Sequence, residues 1–343
     1  MPKPRSPRNP TNKDHYGILE VNPRASQEVI KAAFHALMKV HHPDKHGDET
    51  LARKITIAYE ILGDPDKRAT YDETRKVKTG TMIGNYRVIE KIAEGGFGTT
   101  YLGEHAILQE PVCIKHCGQV DPQHDSILIE EAKSIWNLRH YGLPVMQNLE
   151  RLPDGSLALV MTYVPGKTLR KVVDKVGRLE AEHVAWITER ILNVLKYLHF
   201  NGVVHGDLKP DNIIVQHESH MVVLVDFGLA MVKPTSKSTA KGFTEFFAPP
   251  EQLAGLALIP ESDFYSLGMT MLYALSGNLK SLERKEVPSD VPDPLCDFIR
   301  KLITRDPMSR PRWENVDLFA EIQKVREQSF GRSRSGMKPI PGA

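Results

Sequence analysis

The sequence predicts a multidomain chain, a small all-α helical hairpin followed by a longer α+β unit. Three observations carry this. Apolar residues recur at helical spacing on both sides of the stretch HHPDK, His41 to Lys45. From about residue 85 the pattern changes to short apolar alternation broken by glycines, the signature of strands and hairpins. The 343 residues, 41% of them hydrophobic, are enough for roughly two domains at ~150 residues each.

In the first block Ser26 can cap a helix, with Glu28 favourably placed in its first turn. Ile30, Ala33, Phe34 and Leu37 share one face of that helix, and Lys31, His35, Lys39 and His42 share another. Pro43 stops it, because proline lacks an N–H and restricts the residue before it. A second helix carries Leu51, Ile55, Ala58 and Leu62 on one face, and GDPDKRATYDE supplies a stop and a short polar helix. The stretch ETRKVKTGTMIG has no sustained period, so residues 74–84 are expected to form a linker.

The second block opens with NYRVIEKIAEGGFGTTYLGEH, where Gly95, Gly96 and Gly98 leave backbone N–H groups open to a close approach by phosphates. Taken alone, such a hairpin is structural about as often as functional. PVCIK ends an apolar strand in Lys115, a residue rarely buried without an anionic partner. IEEAKSIWNLRH predicts a helix with Glu131 inward, and LALVMTYVPGKTL predicts a strand leaving into a Pro-Gly loop. A long helix ending at Gly202 delivers HGDLKPDN, His205 to Asn212, in a loop between apolar segments, where function concentrates. The strand MVVLVDFG then ends in Asp226, a position that suits solvent or a cation.

Composition narrows the function classes. With 45 Lys+Arg against 43 Asp+Glu, the chain does not read as a dedicated nucleic-acid binder, although residues 1–12 and 329–343 are basic and expected to be disordered tails. Cys113, Cys117 and Cys296 are too few and odd in number for a disulfide framework, and no Cys/His cluster completes a metal site around the first two. Reduced thiols in a reducing compartment are the expectation. No run approaches the ~18 apolar residues of a membrane span, and MPKPRSPRNP lacks the apolar core of a secretion signal. A cytoplasmic protein without membrane contact is expected.

DHYGILEV, HHPDK and AYEILGDPDKRATYD together resemble the J-domain of DnaJ-type co-chaperones over residues 13–73. The resemblance implies that His42, Pro43 and Asp44, supported by Lys31, Lys39 and Lys45, engage a DnaK-type chaperone and stimulate its ATPase. His35 and Ala36 replace the usual basic pair of that helix, and Ala52 stands where an aromatic is usual.

The second block resembles a eukaryotic-type Ser/Thr protein kinase, of bilobal fold, over residues 85–328. The glycine loop, VCIK, the helix glutamate, HGDLKPDN, DFG, APPE, SDFYSLG and RDPMSRPRW occur in the family's order. The resemblance implies ATP and Mg2+ as cofactors and a protein Ser/Thr hydroxyl as substrate. The loop from Ala93 through Gly95, Gly96 and Gly98 would cover the nucleotide, Lys115 would hold its α and β phosphates, and Glu131 would pair with Lys115. Met161 would lie behind the adenine, with the backbone near Tyr163 and Val164 on its edge. Asp226 and Asn212 would hold the metal, Asp207 would take the hydroxyl proton, and Lys209 would neutralise the transferred phosphoryl group. Asp263 would anchor the catalytic loop, and Glu251 would pair with Arg310.

Three departures stand out: Ala93 at the first glycine position, Thr100 for the usual valine under adenine, and Gly206 for the catalytic-loop arginine. Without that arginine, phosphates on Thr235, Ser236, Ser238 or Thr239 lack their usual clamp. A pseudokinase scaffold acting mainly as a co-chaperone is the main alternative, and a small-molecule kinase of similar fold is a remoter one.

Overall fold

The computed structural model describes residues 15–22, 25–41, 49–75, 77–95, 98–117, 122–216, 221–331 and 339–343. The chain divides into two compact units, residues up to 129 with 147–160, and residues 130–146 with 161–343.

The first unit begins with helices α1 (His15–Ile18), α2 (Gln27–His41), α3 (Glu49–Leu62) and α4 (Pro65–Arg75). Ser26 caps α2 as expected: its Oγ accepts from Val29 N–H at 3.4 Å, and its hydrogen bond to Glu28 holds that carboxyl below the ordinary value. The apolar faces of α2 and α3 meet on Ile30, Ile55, Ala58 and Leu62, joined by Tyr16, Leu19 and Tyr71, with Phe34 stacked on Tyr59 at 4.1 Å. Lys31, His35 and Lys39 are exposed, and Ala52 is buried.

Helix α4 is polar, and it is held by phenols more than by apolar area. Tyr16 donates to Asp72 Oδ1 at 2.8 Å and accepts from Arg68 Nε at 2.8 Å, and Tyr71 Oη accepts from His15 N–H at 3.1 Å. Burial pushes the Tyr16 phenol up to about 12, so it stays a donor across the physiological range.

A six-stranded sheet follows, with β1 (Met82–Ile83), β2 (Tyr86–Gly95), β3 (Gly98–His105), β4 (Pro111–Cys117), β5 (Met146–Arg151) and β6 (Leu157–Thr162) in the order β1-β2-β3-β4-β6-β5. Alternate residues Tyr86, Val88, Tyr101, Val112, Ile114, Ala158 and Val160 build its core. The stretch expected to be a linker is partly structured. It opens with the last turn of α4 and closes with β1, whose Ile83 is buried and pairs with Tyr86. Helix α5 (Pro122–Ile135) connects β4 to β5.

The second unit holds β7 (Lys167–Thr168), α6 (Leu169–Val176), α7 (Ala181–Phe200), β8 (Val203–Val204), β9 (Ile213–Gln216), β10 (Met221–Leu224) and β11 (Met231–Val232), then α8 (Pro250–Leu253), α9 (Pro260–Ser276), α10 (Leu279–Arg284), α11 (Asp293–Leu302) and α12 (Leu318–Phe330). Thr168 caps α6, and Pro260 opens α9, whose fixed φ suits a first helical turn. Nearly every side chain of α9 is buried, the pattern of a helix at the centre of a core. No helix among the described residues is long and apolar enough to cross a membrane.

The expectation of a disordered C-terminal tail is corrected at both ends of that segment. Helix α12 continues to Phe330, and residues 339–343 rest on the second unit, with Ile340 buried and Gly342 C=O accepting from Lys167 Nζ at 2.9 Å. Composition marked the segment as polar, but Ile340 between two prolines is an apolar side chain on a stiffened backbone, which costs little entropy to dock.

Near α9, Arg310 donates from Nη1 and Nη2 to the two carboxylate oxygens of Glu251, at 2.6 and 3.0 Å, and its Nε reaches Thr304 C=O at 2.7 Å. Both residues are buried, so the pair holds only while both charges are present. We expect Arg310→Met to lower unfolding free energy by about 3–5 kcal/mol, read by urea denaturation. Adding Glu251→Gln should recover part of that loss. A loss below about 1 kcal/mol, the worth of an exposed pair, would show that water reaches the site.

Candidate active site

The loop HGDLKPDN follows β8 and precedes β9, and local pairing sets both of its ends. Val204 of β8 pairs with Met231 of β11. The β9–β10 hairpin pairs Ile213 with Leu224, so Asn212 and Val225 lie opposite each other just beyond it, and Val225 N–H donates to Asn212 C=O at 2.9 Å. Asp226 follows at once, in a left-handed conformation with φ +65°. The hairpin thus brings together Asn212 and Asp226, two residues well separated in sequence.

From beneath, the loop is held by Asp263. This carboxylate is 1% exposed and accepts from His205 N–H at 2.8 Å, Gly206 N–H at 2.9 Å and His199 Nε2 at 2.8 Å. Burial alone would raise its pKa, but the His199 hydrogen bond and the other donors hold it below the ordinary carboxylate value. Trp313 Nε1 donates to His199 Nδ1 at 2.9 Å, which leaves the His199 proton on Nε2, facing Asp263. His205 is held similarly: Nδ1 accepts from Asp207 N–H, and Nε2 faces Val225 C=O, both at 3.3 Å.

At the centre, the Asp207 carboxylate is ringed by donors. Thr244 Oγ1 lies 2.6 Å from Oδ1, Lys209 Nζ lies 2.7 Å from Oδ2, and Asn212 Nδ2 lies 3.1 Å from Oδ2. Lys209 Nζ also reaches Thr244 Oγ1 at 2.8 Å, closing a triangle. Asn212 Nδ2 is further committed to Asp207 C=O at 2.9 Å, so its carbonyl oxygen is the atom left for a cation. With the Asp226 carboxylate, this is a hard oxygen donor set of the kind magnesium takes. Glu131, buried on α5, accepts from Phe227 N–H at 3.3 Å.

In the first unit the strand register aligns three of the residues singled out above. Ala93 pairs with Thr100, and Thr100 with Lys115, forming one row across β2, β3 and β4, with Lys115 buried at its end. Gly98 has φ +128°, and a Cβ there would come within 2.3 Å of His116 C=O, so the close approach of β4 by itself demands glycine. Gly95 pairs with Gly98, while Gly96 lies outside the described residues. Met161 is buried near the end of β6, and Tyr163 and Val164 follow it, part-buried.

A protein kinase domain model matches residues 86–318, and a DnaJ domain model matches residues 14–72. The chain belongs to the protein kinase family. It is 30% identical over 269 residues to serine/threonine-protein kinase PrkC of Bacillus subtilis, covering 71% of this chain and 40% of that one. It is 30% identical over 293 residues to serine/threonine-protein kinase pkn3 of Myxococcus xanthus, with 76% and 52% covered. To a probable serine/threonine-protein kinase of Dictyostelium discoideum it is 27% identical over 288 residues, with 78% and 58% covered. The chain thus spans about half the length of these curated relatives.

Within the kinase domain, sequence reading missed Thr244. Its only signal was a hydroxyl four residues before Ala248 of APPE, which nothing local distinguishes from the neighbouring Thr235, Ser236 and Ser238. His199, Trp313 and Gln252 were also missed, and each acts across the tertiary fold.

Gly206 has φ +71°, and a Cβ there would lie 2.8 Å from Leu258 Cδ1 and 2.9 Å from Leu229 C=O. The position is therefore closed to an arginine in this backbone. Alanine at Thr235, Ser236, Ser238 and Thr239 together should leave peptide phosphorylation within about tenfold of wild type, measured with labelled ATP. A ~100-fold loss, about 2.7 kcal/mol of barrier, would mean that another basic group clamps a phosphate there.

Proposed function

We propose that this chain is an ATP-dependent Ser/Thr protein kinase that transfers the γ-phosphoryl group to a protein hydroxyl, and that its J-domain recruits a DnaK-type chaperone. The observation that carries the kinase reading is the Asp207 carboxylate, held by Thr244, Lys209 and Asn212, with Asp226 delivered alongside by the β9–β10 hairpin.

On this reading the substrate oxygen attacks the γ-phosphorus, and the bond from that phosphorus to the bridging oxygen breaks, leaving ADP. Asp207 orients the hydroxyl and receives its proton. Thr244 already donates to the same carboxylate at 2.6 Å, which shows that Oδ1 accepts from a hydroxyl at hydrogen-bonding distance. Lys209, whose ammonium shares that triangle, faces the charge that develops on the transferred group. Asn212 and Asp226 would hold magnesium, which neutralises the phosphate oxygens. Lys115 would contact the α and β phosphates, with Glu131 as its partner. Ala93, Gly95, Gly96 and Gly98 would lie over the nucleotide, and Met161, Tyr163 and Val164 would border its base. A cytoplasmic site of action accords with a count of three cysteines, too few and odd in number for a disulfide framework.

Asp207→Asn should retain nucleotide binding and lose phosphate transfer, whereas Asp226→Asn should also weaken metal-nucleotide binding. Calorimetric titration with Mg-ATP beside a transfer assay separates the two. Transfer at the wild-type rate in either variant would sink these roles.

The chaperone reading rests on the exposed Lys31 and Lys39 of α2, leading into His42, Pro43, Asp44 and Lys45, which lie outside the described residues. A contact made chiefly through such charged groups should be weak, transient and under charge steering. His42→Gln should abolish stimulation of a DnaK-type ATPase, and added salt should weaken the wild-type effect. Stimulation that survives His42→Gln would make the loop a simple turn between helices.

A further inference from the structure

We infer that Gln252 is a positioning residue for phosphoryl transfer, its side-chain amide tying the catalytic loop at Gly206 to the segment from Gly242 that bears Thr244. The inference rests on the kinase reading above and concerns how that site is kept in register.

Gln252 lies on α8 and is 3% exposed. Its Nε2 donates to Gly206 C=O at 2.8 Å and to Gly242 C=O at 2.8 Å, which uses both amide protons. Gly206 precedes Asp207, and Gly242 stands two residues before Thr244. One amide therefore holds the two backbone segments whose side chains meet in the 2.6 Å bond between Thr244 and Asp207. From the other side, Asp263 accepts Gly206 N–H at 2.9 Å, so Gly206 is held at both its N–H and its C=O. The left-handed glycine leaves no side chain to bridge the gap, and the glutamine reaches its buried carbonyl. Without it the buried Gly206 carbonyl loses this donor and the part-buried Gly242 carbonyl is no longer tied to it, and an error of about 1 Å in placing Asp207 is enough to cost transfer rate.

The titratable and charged groups on the segments that Gln252 joins or packs with are His205 and Asp207 beside Gly206, Lys241 beside Gly242, Asp263 on α9, and Glu251 with Arg310. All are retained in Gln252 variants, so a ratio to wild type isolates the amide. Gln252→Met keeps the volume and removes both donors. It should lower kcat about tenfold while leaving KM for Mg-ATP unchanged, because the nucleotide contacts are elsewhere. Gln252→Glu places a carboxyl against two carbonyl oxygens, which raises its pKa above the ordinary glutamate value of about 4.3. Ionised, it repels both carbonyls; protonated, it donates to one. Its kcat relative to wild type should therefore climb as pH falls from about 8 to about 5.5, whereas the Gln252→Met ratio should stay flat.

These variants are assayed in the full chain beside wild type, with thermal melts for each. Gln252→Met with wild-type kcat, or a Gln252→Glu ratio that does not change with pH, overturns the proposal while leaving the kinase reading intact. A wild-type chain that transfers no phosphate overturns both. Should Gln252→Met fail to fold, the Gln252→Glu profile decides alone.

Discussion

The active-site region depends on one buried carboxylate. Asp263 sits at the core of the second unit on a helix with almost no exposed side chain, where an ionised acid is tolerated only if its oxygens are satisfied. It is satisfied by the backbone of the loop it supports and by His199, whose other nitrogen Trp313 occupies. The cost of leaving Asp263 unpaired thus becomes a restoring force on His205 and Gly206, and through them on Asp207. A residue that touches no reacting atom sets the position of the one that would.

Above that anchor the region is built from short strand pairs, each too small to be stable alone. The pairing of β8 with β11 and of β9 with β10 gains its worth from the packed helices around it. Two to four residues per strand suffice here because the ends are tied elsewhere: Gly206 by Gln252 and Asp263, Asn212 by Asp207 and Val225. The pair Arg310–Glu251 holds α8, the helix that bears Gln252, from the opposite side. A dense polar network in a buried place is stabilising only when nearly every member is satisfied, and most members here carry two partners.

The helical block at the N-terminal end follows a different rule. Its core is small, and Tyr16 and Tyr71 contribute both apolar area and hydrogen bonds, joining α1 to a polar α4 that hydrophobic periodicity alone would leave undocked. That division leaves the basic face of α2 out of the core, with Lys31 and Lys39 exposed.

What the sequence alone determined was whatever is written in periodicity or in covalent neighbourhood. The faces of α2 and α3 follow from spacing, the glycine hairpin from its composition, the loop that carries Asn212 from the apolar segments around it, and Asp226 from its place at the end of an apolar strand. The inward placement of Glu131 and the pairing of Glu251 with Arg310 were also legible, through the order of the kinase motifs. Strand β1 inside the expected linker and the docked segment around Ile340 were not, because each depends on one buried side chain, Ile83 in the core of the sheet and Ile340 on the second unit. Thr244, Gln252, His199 and Trp313 belong to the same class. Each is a single residue whose role arises only when segments far apart in the chain come within 3 Å. Hydrogen bonds of that range leave no trace in local pattern, since any donor of the right reach would serve and only the packed core decides which one is there.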